Sequence, residues 1–225
     1  MLTKQANGRM NRILRYLYFL LIVRPVVLIV IGLNVRHLKR LPNDGPAIVV
    51  ANHNSHLDTM VLMSLFGMSR LHKVRPVAAA DHFLRNRFMA WFSTQIIGII
   101  PLQRKNLKGV RKDPLAGITE GIERGEILIL FPEGSRGDPE VRDSFKTGIA
   151  HVAKRHPEVP ITPVFLHGLG KALPKGEGLL VPFFCDVVIG HEVRWKGERT
   201  ALMDDLEAEM ASLVDSVHVP QWDAN

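Results

Sequence analysis

Residues 47–58 read Ala47-Ile48-Val49-Val50-Ala51-Asn52-His53-Asn54-Ser55-His56-Leu57-Asp58. The apolar run at 47–51 follows the turn chemistry of Pro42-Asn43-Asp44-Gly45-Pro46. So short an unbroken apolar run, bounded by turn residues, predicts a strand buried on both faces. Asn52 to Ser55 are residues that suit a helix N-terminus, and residues 58–66 continue as a helix. Strand, polar turn and helix in this order form the unit from which parallel sheets are assembled.

Working outward, the pattern repeats. Residues 74–80 predict a strand, 81–96 an amphipathic helix marked by Phe83, Phe88, Trp91 and Phe92, and 98–102 another short strand. Pro114 opens a helix that closes at Gly125. Residues 126–131 predict a strand, 145–155 a helix, 161–166 a strand, and 185–189 are strand-like. Leu202, Leu206, Met210, Leu213 and Val217 recur at helical spacing and mark a last amphipathic helix. The expected fold class is α/β, a mixed, mostly parallel sheet covered by helices. A chain of 225 residues suits one such domain.

Charge divides the chain. Residues 1–112 carry 18 Lys and Arg against 3 Asp and Glu, a balance of +15; residues 113–225 carry 11 against 19, a balance of −8. The basic half is expected to face anionic lipid or a phosphorylated substrate. Its basic residues are interleaved with aliphatic runs and no nucleic-acid module is recognisable, so nucleic acid is not an expected partner. The single cysteine, Cys185, excludes an intramolecular disulfide and favours a reducing, cytosol-facing setting. It reads as a small buried apolar residue rather than a nucleophile.

The first 40 residues hold eight Lys and Arg and no acid. Residues 13–33 are apolar apart from Arg15 and Arg24 and are broken by Pro25. A spanning helix wants about 20 apolar residues, and a central arginine costs roughly 2.5–3.5 kcal/mol on insertion scales. An interfacial or half-inserted helix fits better, its arginines snorkelling to headgroups. A signal peptide lacks its cleavage site in residues 30–37. The remaining alternative is a buried core helix. Residues 1–31 are accordingly expected to be a membrane-associated segment ahead of a catalytic domain at 32–225.

Three candidate sites follow predicted strands, where open α/β sheets place their chemistry. In the first, His53 and Asp58 are spaced so that a carboxylate can fix the imidazole tautomer and stabilise the imidazolium. That pair can deprotonate a hydroxyl without a serine or cysteine nucleophile. His53, His56 and Asp58 are also potential metal ligands, but their spacing misses the binuclear hydrolase pattern, and Thr59 stands where its last ligand would be. In the second, Gly98-Ile99-Ile100-Pro101-Leu102-Gln103-Arg104, the arginine can grip an anion. In the third, Phe131-Pro132-Glu133-Gly134-Ser135-Arg136-Gly137, glycines let N–H groups converge and Arg136 adds a donor for phosphate.

Together and in this order, the three blocks resemble the glycerolipid acyltransferase family, typified by the 1-acylglycerol-3-phosphate acyltransferases. Asn52, His53, Ser55 and Asp58 match its first block, Gly98 and Arg104 its second, and Phe131 through Arg136 its third. A proline-rich fourth block is matched at residues 159–164, and Phe145-Lys146-Thr147-Gly148 resembles the helix entry before it. The resemblance implies O-acyl transfer from acyl-CoA or acyl carrier protein to a lysophospholipid hydroxyl, most simply of 1-acylglycerol-3-phosphate, giving phosphatidate. Another lyso-lipid acceptor, such as a lyso-aminolipid, would use the same blocks; a metal-dependent hydrolase is the alternative from another class. It implies His53 as general base and Asp58 as its partner, with Arg104, Glu133, Gly134, Ser135 and Arg136 around the acceptor. No cofactor or metal is implied beyond the thioester co-substrate. A membrane location follows from the lipid acceptor, and the single cysteine accords with a site facing the cytoplasm. The N–H groups at the helix start after Asn52 are expected to stabilise the oxyanion.

Overall fold

The computed structural model of the chain describes residues 2–55, 57–80, 86–102, 113–134, 144–172 and 184–217. Among the described residues there are seven strands, β1 (Gly32–Arg36), β2 (Ala47–Ala51), β3 (Val74–Ala79), β4 (Ile100–Leu102), β5 (Ile127–Leu130), β6 (Ile161–His167) and β7 (Phe184–Ile189). They form one sheet in the order β1-β7-β6-β2-β5-β3-β4. Only β6 and β7 pair antiparallel; every other neighbouring pair is parallel. The mixed, mostly parallel sheet expected from the sequence is the one that forms. β2 lies near its centre, Val49 opposite Ile129 on one side and Thr162 on the other. Every residue of β2 is buried, which explains an apolar run without alternation.

Helices cover both faces. Against one pack α2 (Leu57–Leu65) and the first helix, through Phe19, Val23, Val27, Ile31, Val61 and Leu62. Against the other pack α4 (Ala116–Glu123), α5 (Gly148–Arg155) and the last long helix (Arg199–Ser216). That last helix buries Leu202, Leu206, Met210 and Leu213, four of the five residues whose spacing predicted it. Cys185 is buried, as a small core residue.

The first helix, α1 (Leu2–Tyr18), continues into wider turns at Phe19–Val23 and Val26–Val30. Their closing bonds run from Arg24 N to Phe19 O and from Ile31 N to Val26 O, five residues back. An ideal α-helix rotates a four-residue repeat by about 40° per step, and wider turns reduce that drift. Phe19, Val23, Val27 and Ile31 can therefore follow one line over the sheet. The opposite side exposes Leu17, Leu20, Leu21, Ile22, Leu28 and Ile29. The segment is thus a core helix on one stripe and an uncovered apolar surface on the other. No helix among the described residues is long and apolar enough to cross a membrane.

Two local expectations are corrected, and one strand was not foreseen. Arg15 does not snorkel outward: it is buried and donates through Nη2 to the Val74 carbonyl at 2.7 Å. The helix expected at 81–96 is described only from residue 86, as α3 (Arg87–Trp91) running on through wide turns at Phe92–Ile97. Of its aromatic markers, Phe88 is 70% and Trp91 40% exposed and turn away from the core, whereas Phe92 packs against it beside the buried Ser93, Ile96 and Ile97. Phe83 lies outside the described residues. β1 was not foreseen, because Gly32-Leu33-Asn34-Val35-Arg36 is a half-buried edge strand with no apolar run. Its polar side chains meet Asp186 of β7: Asn34 donates at 2.7 Å, and Arg36 pairs at 3.4 Å.

Candidate active site

The carboxyl ends of β2, β5 and β6 lie side by side, so the loops leaving them share one edge of the sheet. Asn52, the first residue past β2, is clamped between strands. Its side-chain amide donates to Leu166 O and accepts from Leu166 N, both at 2.8 Å. The pair copies a ladder rung and carries the rigidity of β6 up to the next residue, His53.

His53 Nδ1 meets Asp58 Oδ2 at 2.8 Å. Asp58 is fully buried, and the same oxygen accepts from the N–H groups of Asn54 at 2.8 Å and Ser55 at 2.9 Å. A carboxylate so placed accepts from Nδ1–H, which makes Nε2 the basic nitrogen of the neutral ring. No protein group among the described residues takes Nε2, and the side chain stays partly exposed. The ring lies on Phe131, centroids 4.2 Å apart at 24°. Phe131 enters the motif as its first letter, and only the structure shows it as the platform under the imidazole.

The third block reaches the first through Glu133. Its carboxylate is buried, and Oε2 accepts from His53 N–H at 3.1 Å, tying the loop after β5 to the loop after β2. Gly134 adopts φ +76°, and a Cβ there would lie 2.8 Å from Lys146 Nζ. Glycine thus admits a lysine amine that sequence reading had passed over. Arg104, Ser135 and Arg136, expected around the acceptor, lie outside the described residues, as does His56.

Among the described residues, the expected oxyanion donors are otherwise engaged. The N–H of His53 serves Glu133, those of Asn54 and Ser55 serve Asp58, that of Leu57 serves Ser55 Oγ and that of Asp58 serves Ser55 O. These groups hold carboxylates and turns in place and are not open to an incoming oxyanion. Among the described residues no group of three His, Cys, Asp or Glu is arranged to hold a metal ion.

Beside Phe131, a cavity of about 410 Å³ runs down between the sheet and α4 and α5. Val77, Leu102, Ile118, Ile149 and Val152 line its depth, and Gly134 and Lys146 stand with it. An apolar hollow thus opens next to a base and a cation.

The Acyltransferase family model matches residues 32–167, more than half of the chain. The chain belongs to the acyltransferase family. Among its relatives, a chloroplastic 1-acyl-sn-glycerol-3-phosphate acyltransferase of Arabidopsis thaliana is 30% identical over 185 residues, covering 81% of this chain and 49% of that one. Its counterpart in Brassica napus is 29% identical over 186 residues, covering 82% and 51%. The human alpha form is 28% identical over 137 residues, covering 60% and 46%. The chain therefore spans about half the length of the curated relatives it matches. The crystal structure of a 1-acyl-sn-glycerophosphate acyltransferase from Thermotoga maritima superposes with a TM-score of 0.68 over 93% of this chain and 79% of that one. At 22% identity that likeness speaks for the fold.

Proposed function

We propose that this acyltransferase moves a fatty acyl group from a thioester, acyl-CoA or acyl carrier protein, to the free hydroxyl of a lysophospholipid, foremost 1-acylglycerol-3-phosphate, giving phosphatidate. The observation that carries the reading is the His53–Asp58 contact of 2.8 Å, with Nε2 left to a substrate. As the acceptor hydroxyl attacks the thioester carbonyl, Nε2 takes its proton and the new C–O bond forms. The C–S bond then breaks, and the imidazolium returns the proton to the departing thiolate. Asp58 stabilises the imidazolium and holds the tautomer. Phe131 and the Glu133 contact to His53 N–H keep ring and loop in position. The apolar cavity beside Phe131 takes acyl chain, and Lys146, with Arg104 and Arg136 from the matched blocks, meets the acceptor's phosphate. Names of the relatives support this acceptor.

Residues 32–225 form the catalytic part in this reading, and residues 1–31 hold it to an anionic membrane surface with the site on the cytoplasmic side. The uncovered stripe of the first helix and its excess of basic residues support that role. The test is a panel of lysophosphatidate, other lysophospholipids and a lyso-aminolipid, each offered with acyl-CoA and with acyl carrier protein. Lysophosphatidate is expected to be acylated best, and His53→Ala to lose about 10²–10⁴ in rate. Activity of His53→Ala within a few-fold of wild type would overturn the mechanism. Preference for an acceptor without a phosphomonoester would overturn the acceptor.

A further inference from the structure

At the amino-terminal edge of the sheet lies a second cavity, of about 520 Å³, lined by Arg12, Arg15, Tyr16, Arg75, Gln95 and Glu126 among others. Glu126 directly precedes β5 and Phe131 directly follows it. The strand between them, at about 3.3 Å per residue, puts the cavity roughly 16 Å from the ring of His53. The reaction as derived above uses none of its residues.

Charge in this cavity is not balanced. Arg15 is only 6% exposed, and its Nε has no hydrogen-bond partner among the described residues. It lies against Gly98, where a Cβ would come within 2.5 Å of Nη1, so the chain is shaped to admit the guanidinium. Arg75 Nε is likewise buried without a partner among the described residues, and Arg75 Nη1 stands a loose 3.8 Å from Glu126 Oε1. Glu126 itself is held by Arg124, at 3.2 Å from Nε and 3.0 Å from Nη2. One carboxylate, already gripped by a third arginine, therefore faces the guanidinium groups of Arg15 and Arg75. Burial pushes Arg15 down to about 10, with the nearby Arg75 charge lowering it further and Glu126 opposing. Burial lowers Arg75 as well, again with Glu126 opposing. Burying cationic groups with open donors is costly until an anion pairs them.

We propose that this cavity is a second anion-binding site, which takes a phosphate group between Arg15 and Arg75. Two planar guanidinium groups with unspent N–H donors suit tetrahedral phosphate oxygens better than they suit chloride. The phosphate can arrive free in solution or on a phospholipid headgroup. Tyr16, on the cavity wall, sits one helical turn from Ile13 and Leu20, which belong to the uncovered apolar stripe. A headgroup entering here would have its acyl chains alongside that stripe. The site stands whether or not lysophosphatidate is the acceptor.

The test uses the full chain carrying Arg104→Ala and Arg136→Ala, which silences the arginines assigned to the acceptor. Calorimetric titration with inorganic phosphate, at an ionic strength matched with chloride, is expected to show binding. Arg75→Gln, at a half-buried position and with folding checked by thermal unfolding, should weaken that binding about tenfold or more. Arg15→Gln should do the same, and Glu126→Gln should tighten binding by removing the competing carboxylate. A merely structural cluster would not give opposite signs at Arg75 and Glu126. Absent phosphate binding in this background, or binding indifferent to Arg75→Gln, overturns the site. The second arm compares phosphatidylcholine vesicles with and without phosphatidylglycerol. If Arg75→Gln abolishes the preference for the anionic vesicles, the ligand is a headgroup. If the preference survives while phosphate binding is lost, the ligand is the free ion.

Discussion

Removing the Asp58 carboxylate takes an acceptor away from three donors, the His53 ring and the Asn54 and Ser55 amides. An orphaned buried donor costs about 1–3 kcal/mol. Asp58→Ala should therefore lose activity and lower the melting temperature, by about 2–4 °C for each kcal/mol in a chain of this size. His53→Ala should lose activity with a much smaller thermal shift, since its ring is partly exposed. Activity assays paired with thermal unfolding check both; equal thermal shifts would contradict the double role of Asp58. At Gly134, alanine must adopt a left-handed φ and meet Lys146 Nζ, so Gly134→Ala should displace the amine. Lys146→Met is expected to raise KM for lysophosphatidate several-fold and leave KM for the acyl donor nearly unchanged. Replacing Arg104 or Arg136 by lysine keeps the charge but loses the planar fork, and the same KM split is expected. A shift in the donor constant alone would assign these cations to the carrier's phosphates.

The first helix explains why its sequence admitted more than one reading. Phe19, Val23, Val27 and Ile31 belong to the core, while Leu21 is 66% and Ile29 81% exposed, so apolar residues occupy both sides. Such a segment has no polar face to give its orientation away. Deleting residues 1–24 would strip Phe19 and Val23 from the core and confuse binding with stability. Leu21→Glu and Ile29→Glu are the cleaner changes, expected to weaken flotation with anionic vesicles and leave the melting temperature within a few degrees. Phe19→Ala should instead cost about 3–5 kcal/mol. Other elements were legible in proportion to their burial. β2, β5 and β6 announce themselves because both faces are covered, whereas β1 is carried by contacts with Asp186, which no local pattern reveals. The aromatic residues of α3 misled because Phe88 and Trp91 mark an outer surface. At the site, the spacing of His53 and Asp58 was readable, but the engagement of the His53 amide depends on Glu133 arriving from a distant strand.

At the scale of the molecule, the charge division has a spatial counterpart. The first helix, with its basic residues, covers one face, and the last helix, with Asp204, Asp205, Glu207, Glu209 and Asp215, covers the other. Such a polarised body should approach an anionic bilayer helix-first. Vesicle binding is then expected to weaken steadily as added salt shortens the screening length from about 10 Å at 0.1 M toward 3 Å at 1 M. Binding unchanged over that range would leave the apolar stripe as the sole contributor. The pairing of β1 with β7 bears on how the chain is made. Gly32 stands beside Phe184, so β1 has no partner until the far end of the domain has been synthesised. At about 5–20 residues per second that wait is roughly 8–30 s. Throughout it, the edge strand into which the first helix leads has no partner, and the uncovered apolar side of that helix stays open. A chaperone or the bilayer can occupy the helix in that interval, so the moment of translation at which it meets lipid becomes a property of the topology.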